Sequence, residues 1–124
     1  MSNTITKKTI SAIKYTVGNL PHRCEVKNEL AELQKHVGGH IEVLPLSDKV
    51  ALICNEEGKL ISGAQPSAYL CDKFLAIENM IFCDALLVGL DGEDFADLDE
   101  AYATVKRTPT GNIDSVYVGR YIIV

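Results

Sequence analysis

The sequence lacks several features that define common classes of protein. It contains no Trp, and aromatic residues make up only 6% of its 124 residues. Because 47% of the residues are hydrophobic, a core is expected, but it must consist mainly of Ile, Leu, Val and Ala. A chain of this length usually forms one domain, so residues 1–124 are predicted to be a single domain.

Long apolar runs and paired cysteines are also missing. No run approaches the roughly 20 apolar residues that cross a membrane, and the N-terminal stretch MSNTITKKTI has no apolar segment behind its charges. Cys24, Cys54, Cys71 and Cys83 are far apart and form no C-x-x-C pair. We therefore expect free thiols in a cytoplasmic protein, with no metal site and no contact with a membrane.

An excess of basic residues, which a protein that binds duplex nucleic acid would normally show, is absent as well. The formal charge is −5, and six of the 17 acidic residues lie in the stretch DGEDFADLDE, residues 91–100. That stretch lacks the Asp-x-Asp-x-Asp-Gly spacing of a calcium loop. It is expected to form a solvated loop and the first turn of a helix, and duplex nucleic acid is not expected as a partner.

The first half of the sequence predicts a hairpin, a helix and a strand. Residues 9–17 and 22–27 are predicted strands separated by the turn residues GNLP. Residues 28–39 have the periodicity of an amphipathic helix, with Asn28 as its N-cap and Gly38 as its left-handed C-terminal residue. Residues 40–46 then form a strand, so the glycine pair is predicted to end the helix and not to cradle a ligand.

The second half adds strands and two more predicted helices. Residues 49–62 indicate two short strands around the turn NEEG, and residues 80–90 indicate a central apolar strand. Helices are predicted over residues 66–77 and 98–106, and a final strand over 115–124. The predicted fold is therefore α+β, a mostly antiparallel sheet of five to seven strands with two or three helices on one face.

No catalytic motif is visible in the sequence. It has no G-x-S-x-G elbow, no P-loop and no H-E-x-x-H helix. His36 and His40 are four residues apart, but Gly38 and Gly39 interrupt the helix between them, so no two-histidine metal face is implied. We expect a protein that is not an enzyme and needs no cofactor.

The loop at residues 106–112 has the hydrogen-bond donors that an anionic ligand such as a phosphate or nucleotide would require. Arg23 and Tyr117 could join the loop if the last strand returns to the hairpin, and Tyr102 could stack on a base. Alternatively, the two basic residues of the loop, Lys106 and Arg107, offset the negative dipole at the C-terminal end of the preceding helix. The candidate ligand-binding residues are Lys106, Arg107, Thr108, Thr110, Asn112, Arg120 and Phe82.

Four motifs occur in order along the chain: LQ-x-x-VGG at residues 33–39, IEV-x-PL at 41–46, NEEGKL at 55–60 and LLVG at 86–89. Together with the acidic stretch that follows, they resemble a family of small domains of unknown function found in bacteriophages, plasmids and their Gram-positive hosts. The recognised pattern covers about residues 26–100. The resemblance implies a mobile-element protein in the host cytoplasm and supplies no catalytic residue.

Three functions are compatible with these observations. The first is a non-enzymatic bacteriophage or mobile-element accessory protein that binds and sequesters a host protein or a small nucleotide signal, blunting host defence. The second is a homo-oligomeric structural or regulatory protein that uses its C-terminal strand as an interface. The third is a weak enzyme acting on nucleotides or protein.

Overall fold

A computed structural model describes residues 8–19, 21–72, 74, 76–99, 117–118 and 121–123. This part of the chain contains ten strands, one α-helix and one 3₁₀ turn, Gly58–Leu60. The helix is α1 (Leu30–Val37). The strands are β1 (Thr9–Tyr15), β2 (His22–Lys27), β3 (Ile41–Pro45), β4 (Val50–Asn55), β5 (Pro66–Cys71), β6 (Ile77–Phe82), β7 (Ala85–Asp91), β8 (Asp94–Ala96), β9 (Tyr117–Val118) and β10 (Tyr121–Ile123).

The strands form two sheets. The larger has six strands in the order β2-β1-β7-β4-β3, with β8 also pairing with β7, and every pairing in it is antiparallel. The smaller has four strands in the order β6-β5-β10-β9, and β10 runs parallel to β5. The C-terminal strand therefore pairs within its own chain.

The larger sheet lies between α1 and the smaller sheet, so both of its faces are buried. On one face, Leu33 and Val37 of α1 pack over Ile53 and Leu86. On the other face, residues such as Leu52 and Leu87 contact the inner face of the smaller sheet. All six residues of β4 are buried, which explains why the central strands are continuous apolar runs without alternation. The inner face of the smaller sheet contributes Ala68, Leu70, Ile81 and Ile122.

The predicted helix is confirmed, but its N-cap is not the predicted residue. The cap is Glu29, with no side-chain capping bond. The Asn28 backbone N–H donates to the Lys8 carbonyl at 2.8 Å and extends the β1–β2 hairpin. At the other end Gly38 has φ 80°, as predicted for a left-handed terminating residue. The Gly38 and Gly39 amides both donate to the Gln34 carbonyl, at 2.8 and 3.1 Å, so the pair ends the helix.

The predicted helix over residues 66–77 is wrong. The segment forms β5, a turn and the start of β6. Leu70, Phe74 and Ile77 have helical spacing, yet Leu70 is buried while Phe74 and Ile77 are exposed. The turn is built by Asp72, whose Oδ1 accepts from the Phe74 amide at 2.8 Å and the Ala76 amide at 3.0 Å. Partners in the smaller sheet thus outweigh the local periodicity.

Two other boundaries differ from the prediction. The apolar run at 80–90 is divided between β6 and β7, which belong to different sheets, and Cys83 between them has φ 66°. The predicted second strand of 49–62 is replaced by the 3₁₀ turn. The α+β class and the six-stranded antiparallel sheet are confirmed, whereas the described residues contain one α-helix instead of two or three.

The remaining predicted helix, over residues 98–106, lies outside the described residues from residue 100 onward. Leu98 itself is buried, and its amide donates to the Ser11 carbonyl at 2.8 Å. The acidic stretch is not a plain loop, because β7 turns at Gly92 and returns as β8. No helix among the described residues has both the length and the apolar character that crossing a membrane requires.

Candidate functional site

A cleft of about 220 Å³ lies where β6 of the smaller sheet meets β3, β4 and the 3₁₀ turn. Side chains from three separate parts of the sequence line it, so it exists only in the folded chain. Its apolar wall consists of Leu44, Cys54, Leu60, Met80, Ile81 and Phe82. Its polar residues are Glu42, Asn55, Glu56, Lys59 and Asn79.

Asn55 holds the inner end of the cleft together. Its side chain is 8% exposed; Nδ2 donates to the Val37 carbonyl at 3.1 Å and Oδ1 accepts from the Glu57 amide at 2.8 Å. One side chain therefore joins the end of α1 to the turn after β4. A Cβ on Gly39 would lie 3.0 Å from Asn55 Nδ2, so the second glycine leaves room for this amide. The VGG and NEEG motifs form one structural unit.

Gly58 brings the 3₁₀ turn against β6. A Cβ on this residue would lie 2.8 Å from the Phe82 carbonyl oxygen. Any residue other than glycine would therefore require the backbone to shift. Glycine at this position therefore sets the width of the cleft and places the Phe82 side chain in its wall.

The polar groups of the cleft include one ion–amide pair. Lys59 Nζ donates to Asn79 Oδ1 at 2.8 Å, joining the 3₁₀ turn to β6 across 20 residues of sequence. Glu42 and Glu56 are exposed on the same lining, so carboxylates outnumber the single ammonium group. The cleft therefore has donors for a polar ligand but does not favour several negative charges on that ligand.

Cys54 lines the cleft as a buried, protonated thiol. Burial raises its pKa to about 11, the Glu42 carboxylate adds to the rise and Lys59 opposes it. Its sulfur is 3.7 Å from the Glu42 carbonyl oxygen, as a weak S–H donor would be. A thiolate is the nucleophilic form, so this cysteine is not poised for catalysis near neutral pH.

The raised pKa of Cys54 predicts a loss of stability in alkaline solution. The thiol ionises near pH 9 in the unfolded chain and at about pH 11 in the folded chain. The protonated thiol therefore contributes its full stabilisation of the fold below pH 9, and this stabilisation is lost as the pH rises between these two values. We expect the free energy of unfolding, measured with urea, to fall less from pH 8 to pH 10.5 in Cys54→Val than in the native chain. An equal fall in Cys54→Val and the native chain would contradict this assignment.

The structure describes one of the seven predicted ligand-binding residues. Phe82 is half-buried in the cleft wall. The Arg23 guanidinium donates to Ser11 Oγ and to the Leu98 and Asp99 carbonyls, while β10 pairs with β5. The remaining six predicted residues lie outside the described part of the chain: Lys106, Arg107, Thr108, Thr110, Asn112 and Arg120.

A second depression lies at the end of α1, and His36 is part of its lining. Burial lowers the pKa of His36, and the charge of Lys14 lowers it further. Lys14 Nζ lies 3.1 Å from His36 Nδ1, so a neutral imidazole can accept this bond. Across the described residues, His, Cys, Asp and Glu side chains form no group of three or more that could hold a metal ion.

Sequence reasoning missed Lys59 and Asn79 as site residues. Lys59 follows the predicted turn NEEG, and Asn79 lies between the predicted helix at 66–77 and the predicted strand at 80–90. Neither has a local signal, because their proximity depends on how the smaller sheet packs against the larger one.

The fold is a small three-layer α+β domain with a cleft between its two sheets. The model of a domain of unknown function, DUF3846, matches residues 10–123, and the chain belongs to that family. The match extends beyond the pattern recognised at residues 26–100 and includes the C-terminal strands. No curated protein and no solved structure matches the chain.

Proposed function

We propose that this protein is a non-enzymatic binding protein whose cleft holds one planar ring of a small ligand, such as a nucleobase. The observation that carries the proposal is the position of the Lys59–Asn79 pair beside the apolar wall that contains Phe82. An aromatic face can stack on a base, and an amide with an adjacent ammonium group can hydrogen-bond to its edge.

The size of the cleft supports a single ring as the enclosed part of the ligand. Sites for drug-sized ligands usually have about 300–1,000 Å³, whereas this cleft has about 220 Å³. A base or another heterocycle of similar size would fill it. A sugar or phosphate attached to that ring would extend past the rim, where Lys59 is the only cation among the described residues of the lining.

The charge of the rim distinguishes between nucleotide classes. Because Glu42 and Glu56 both line the cleft, each added phosphate meets more repulsion than attraction. A nucleobase, a nucleoside or a monophosphate is therefore favoured over a triphosphate. The predicted donor loop at residues 106–112 would add two cations if it contributes to the site, and this part of the sequence remains a prediction.

In its biological setting, the proposal is an accessory protein of a bacteriophage or other mobile element that sequesters a host signal in the cytoplasm. Sequestration requires affinity without turnover, and the site offers contacts for affinity. A buried Cys54 with a raised pKa supports the non-catalytic part of this proposal.

The test is a thermal melting series with adenine, guanine, their nucleosides, and the mono- and triphosphates. A ligand at 100 times its Kd stabilises by about 2.7 kcal/mol, so we expect a rise of several degrees, larger for a nucleoside than for its triphosphate. Phe82→Leu keeps an apolar wall but removes the ring, and should abolish most of the rise.

Lys35→Met serves as the matched control, since it removes an exposed lysine of α1 that does not line the cleft. It should leave the ligand-induced rise unchanged, whereas Lys59→Met should reduce it. The proposal fails if no member of the series raises the melting temperature, or if Phe82→Leu responds as the native chain does.

A homo-oligomer is the second candidate function. The terminal strand pairs with β5 through β10, and β9 is the outer strand of the smaller sheet. A strand at a sheet edge can pair with the same strand of a second copy. Sedimentation of the intact chain, described below, reports whether such a species forms.

A further inference from the structure

The outer strand β6 differs from the two edge strands of the larger sheet, β2 and β3. β2 has three charged residues and one histidine among six, and β3 is short and ends in Pro45. Charges, proline, bulges and short length are among the devices that keep an edge from pairing with another chain. β6, with the sequence IENMIF, has one charged residue and no proline, and its register with β5 is irregular at Glu78.

The 3₁₀ turn protects only one end of this edge. Gly58 lies against the Phe82 carbonyl, at the C-terminal end of β6. Toward the N-terminal end, a shallow depression of about 530 Å³ follows the strand and is lined by Lys59 and by most of β6. Residues 77–80 therefore form the open part of the edge.

Large apolar side chains are exposed along this open part. Ile77 is 50% exposed, Met80 42% and Leu60, in the neighbouring 3₁₀ turn, 83%. Phe74 is 80% exposed before β6, and Asp72 Oδ1 accepts from its amide and from the Ala76 amide. An exposed aromatic side chain beside a strand edge is typical of a contact residue in an interface.

The surrounding charges indicate the chemistry of the occupant. Three carboxylates, of Glu42, Glu56 and Glu78, line the cleft and the depression, against one ammonium group. Lys59 is already bonded to Asn79. Two copies of this surface would bring like charges together, whereas a segment with basic residues would neutralise them.

We propose that the outer edge of β6 binds an extended segment of a partner protein, with apolar residues at alternate positions and Lys or Arg at its ends. The segment adds as a strand to residues 77–80 and contacts Ile77, Met80 and Phe74 with its side chains. The site adjoins the ring-binding cleft and shares Asn79 and Met80 with it. Ile77 and Phe74 do not line the cleft, so substitutions there test the edge alone.

The test uses the intact chain and a random library of displayed 12-residue peptides, followed by fluorescence anisotropy with the selected peptides. We expect enrichment of peptides with alternating apolar residues and basic ends. Ile77→Asp and Phe74→Ala should each weaken binding by about tenfold or more, as loss of an interface hot spot does. Leu30→Ser, which changes an equally exposed apolar residue of α1, is the matched control and should bind normally.

Hydrogen exchange separates strand addition from simple apolar adhesion. A bound peptide should slow exchange of amides within residues 77–80 and leave those of β2 unchanged. The proposal is overturned if no peptide is enriched, if Ile77→Asp binds as well as Leu30→Ser, or if the β6 amides stay unprotected. Sedimentation that shows a dimer abolished by Ile77→Asp would also overturn it, because the occupant would then be a second copy.

Discussion

Replacing Asn55 by Ala is expected to lower the free energy of unfolding by about 2–4 kcal/mol, since each buried group left without its partner costs about 1–3 kcal/mol. The substitution leaves the Val37 carbonyl and the Glu57 amide without the bonds that Asn55 now provides. Urea unfolding monitored by circular dichroism measures the loss. Asn79→Ala removes an exposed hydrogen bond, the one that the Asn79 side chain accepts from Lys59, and should cost less than about 1 kcal/mol.

A double-mutant cycle tests whether Gly39 and Asn55 act together. A Cβ at residue 39 would be 3.0 Å from Asn55 Nδ2, so Gly39→Ala should displace this amide and destabilise the chain. Once Asn55 is Ala, the obstruction is gone, and the second substitution should cost less than it does alone. Strict additivity of the two effects would contradict a shared structural unit.

Replacing Gly89 by Ala should be the other large loss, about 3 kcal/mol, at the upper end of the cost of overpacking. The added Cβ would lie only 2.2 Å from the Asp97 carbonyl oxygen and 2.9 Å from its carbon. Both are backbone atoms, so the chain after β8 must move. The same displacement would strain the bonds of Asp97 Oδ1 and the Leu98 amide to the Ser11 backbone.

Gly92→Ala is the matched control for this substitution. Gly92 lies in the adjacent turn with φ 63° and open space around its Cβ position. Its cost should be limited to the left-handed backbone, about 1–2 kcal/mol. We expect faster hydrogen exchange at the Ser11 amide in Gly89→Ala only. A smaller loss for Gly89→Ala than for Gly92→Ala would show that close packing at Gly89 is not required.

Asn55 and Gly89 both lie in the motifs that the family resemblance rests on, and both have a structural role. The glycine pair and the NEEG turn meet at Asn55, and the glycine of LLVG admits the chain after β8. The glycines and Asn55 of these motifs therefore specify how elements pack. Lys59 of NEEGKL lines the proposed ring-binding cleft, whereas Ile77 of the proposed strand-binding edge lies outside the motifs.

The sequence alone determined the elements that depend on neighbouring residues. The hairpin of β1 and β2, the helix α1 and its end at Gly38 all follow from turn residues, helical periodicity and the freedom of glycine at positive φ. The α+β class followed from the alternation of such segments.

Only the tertiary structure decided the elements whose stability comes from distant partners. Residues 66–77 have helical spacing, but Ala68 and Leu70 pack against the larger sheet and β5 pairs with β6 and β10. Lys59 and Asn79 likewise meet only because two sheets pack together. Local patterns record the conformation that a segment prefers by itself, whereas burial between layers selects the conformation it adopts, and with it the site.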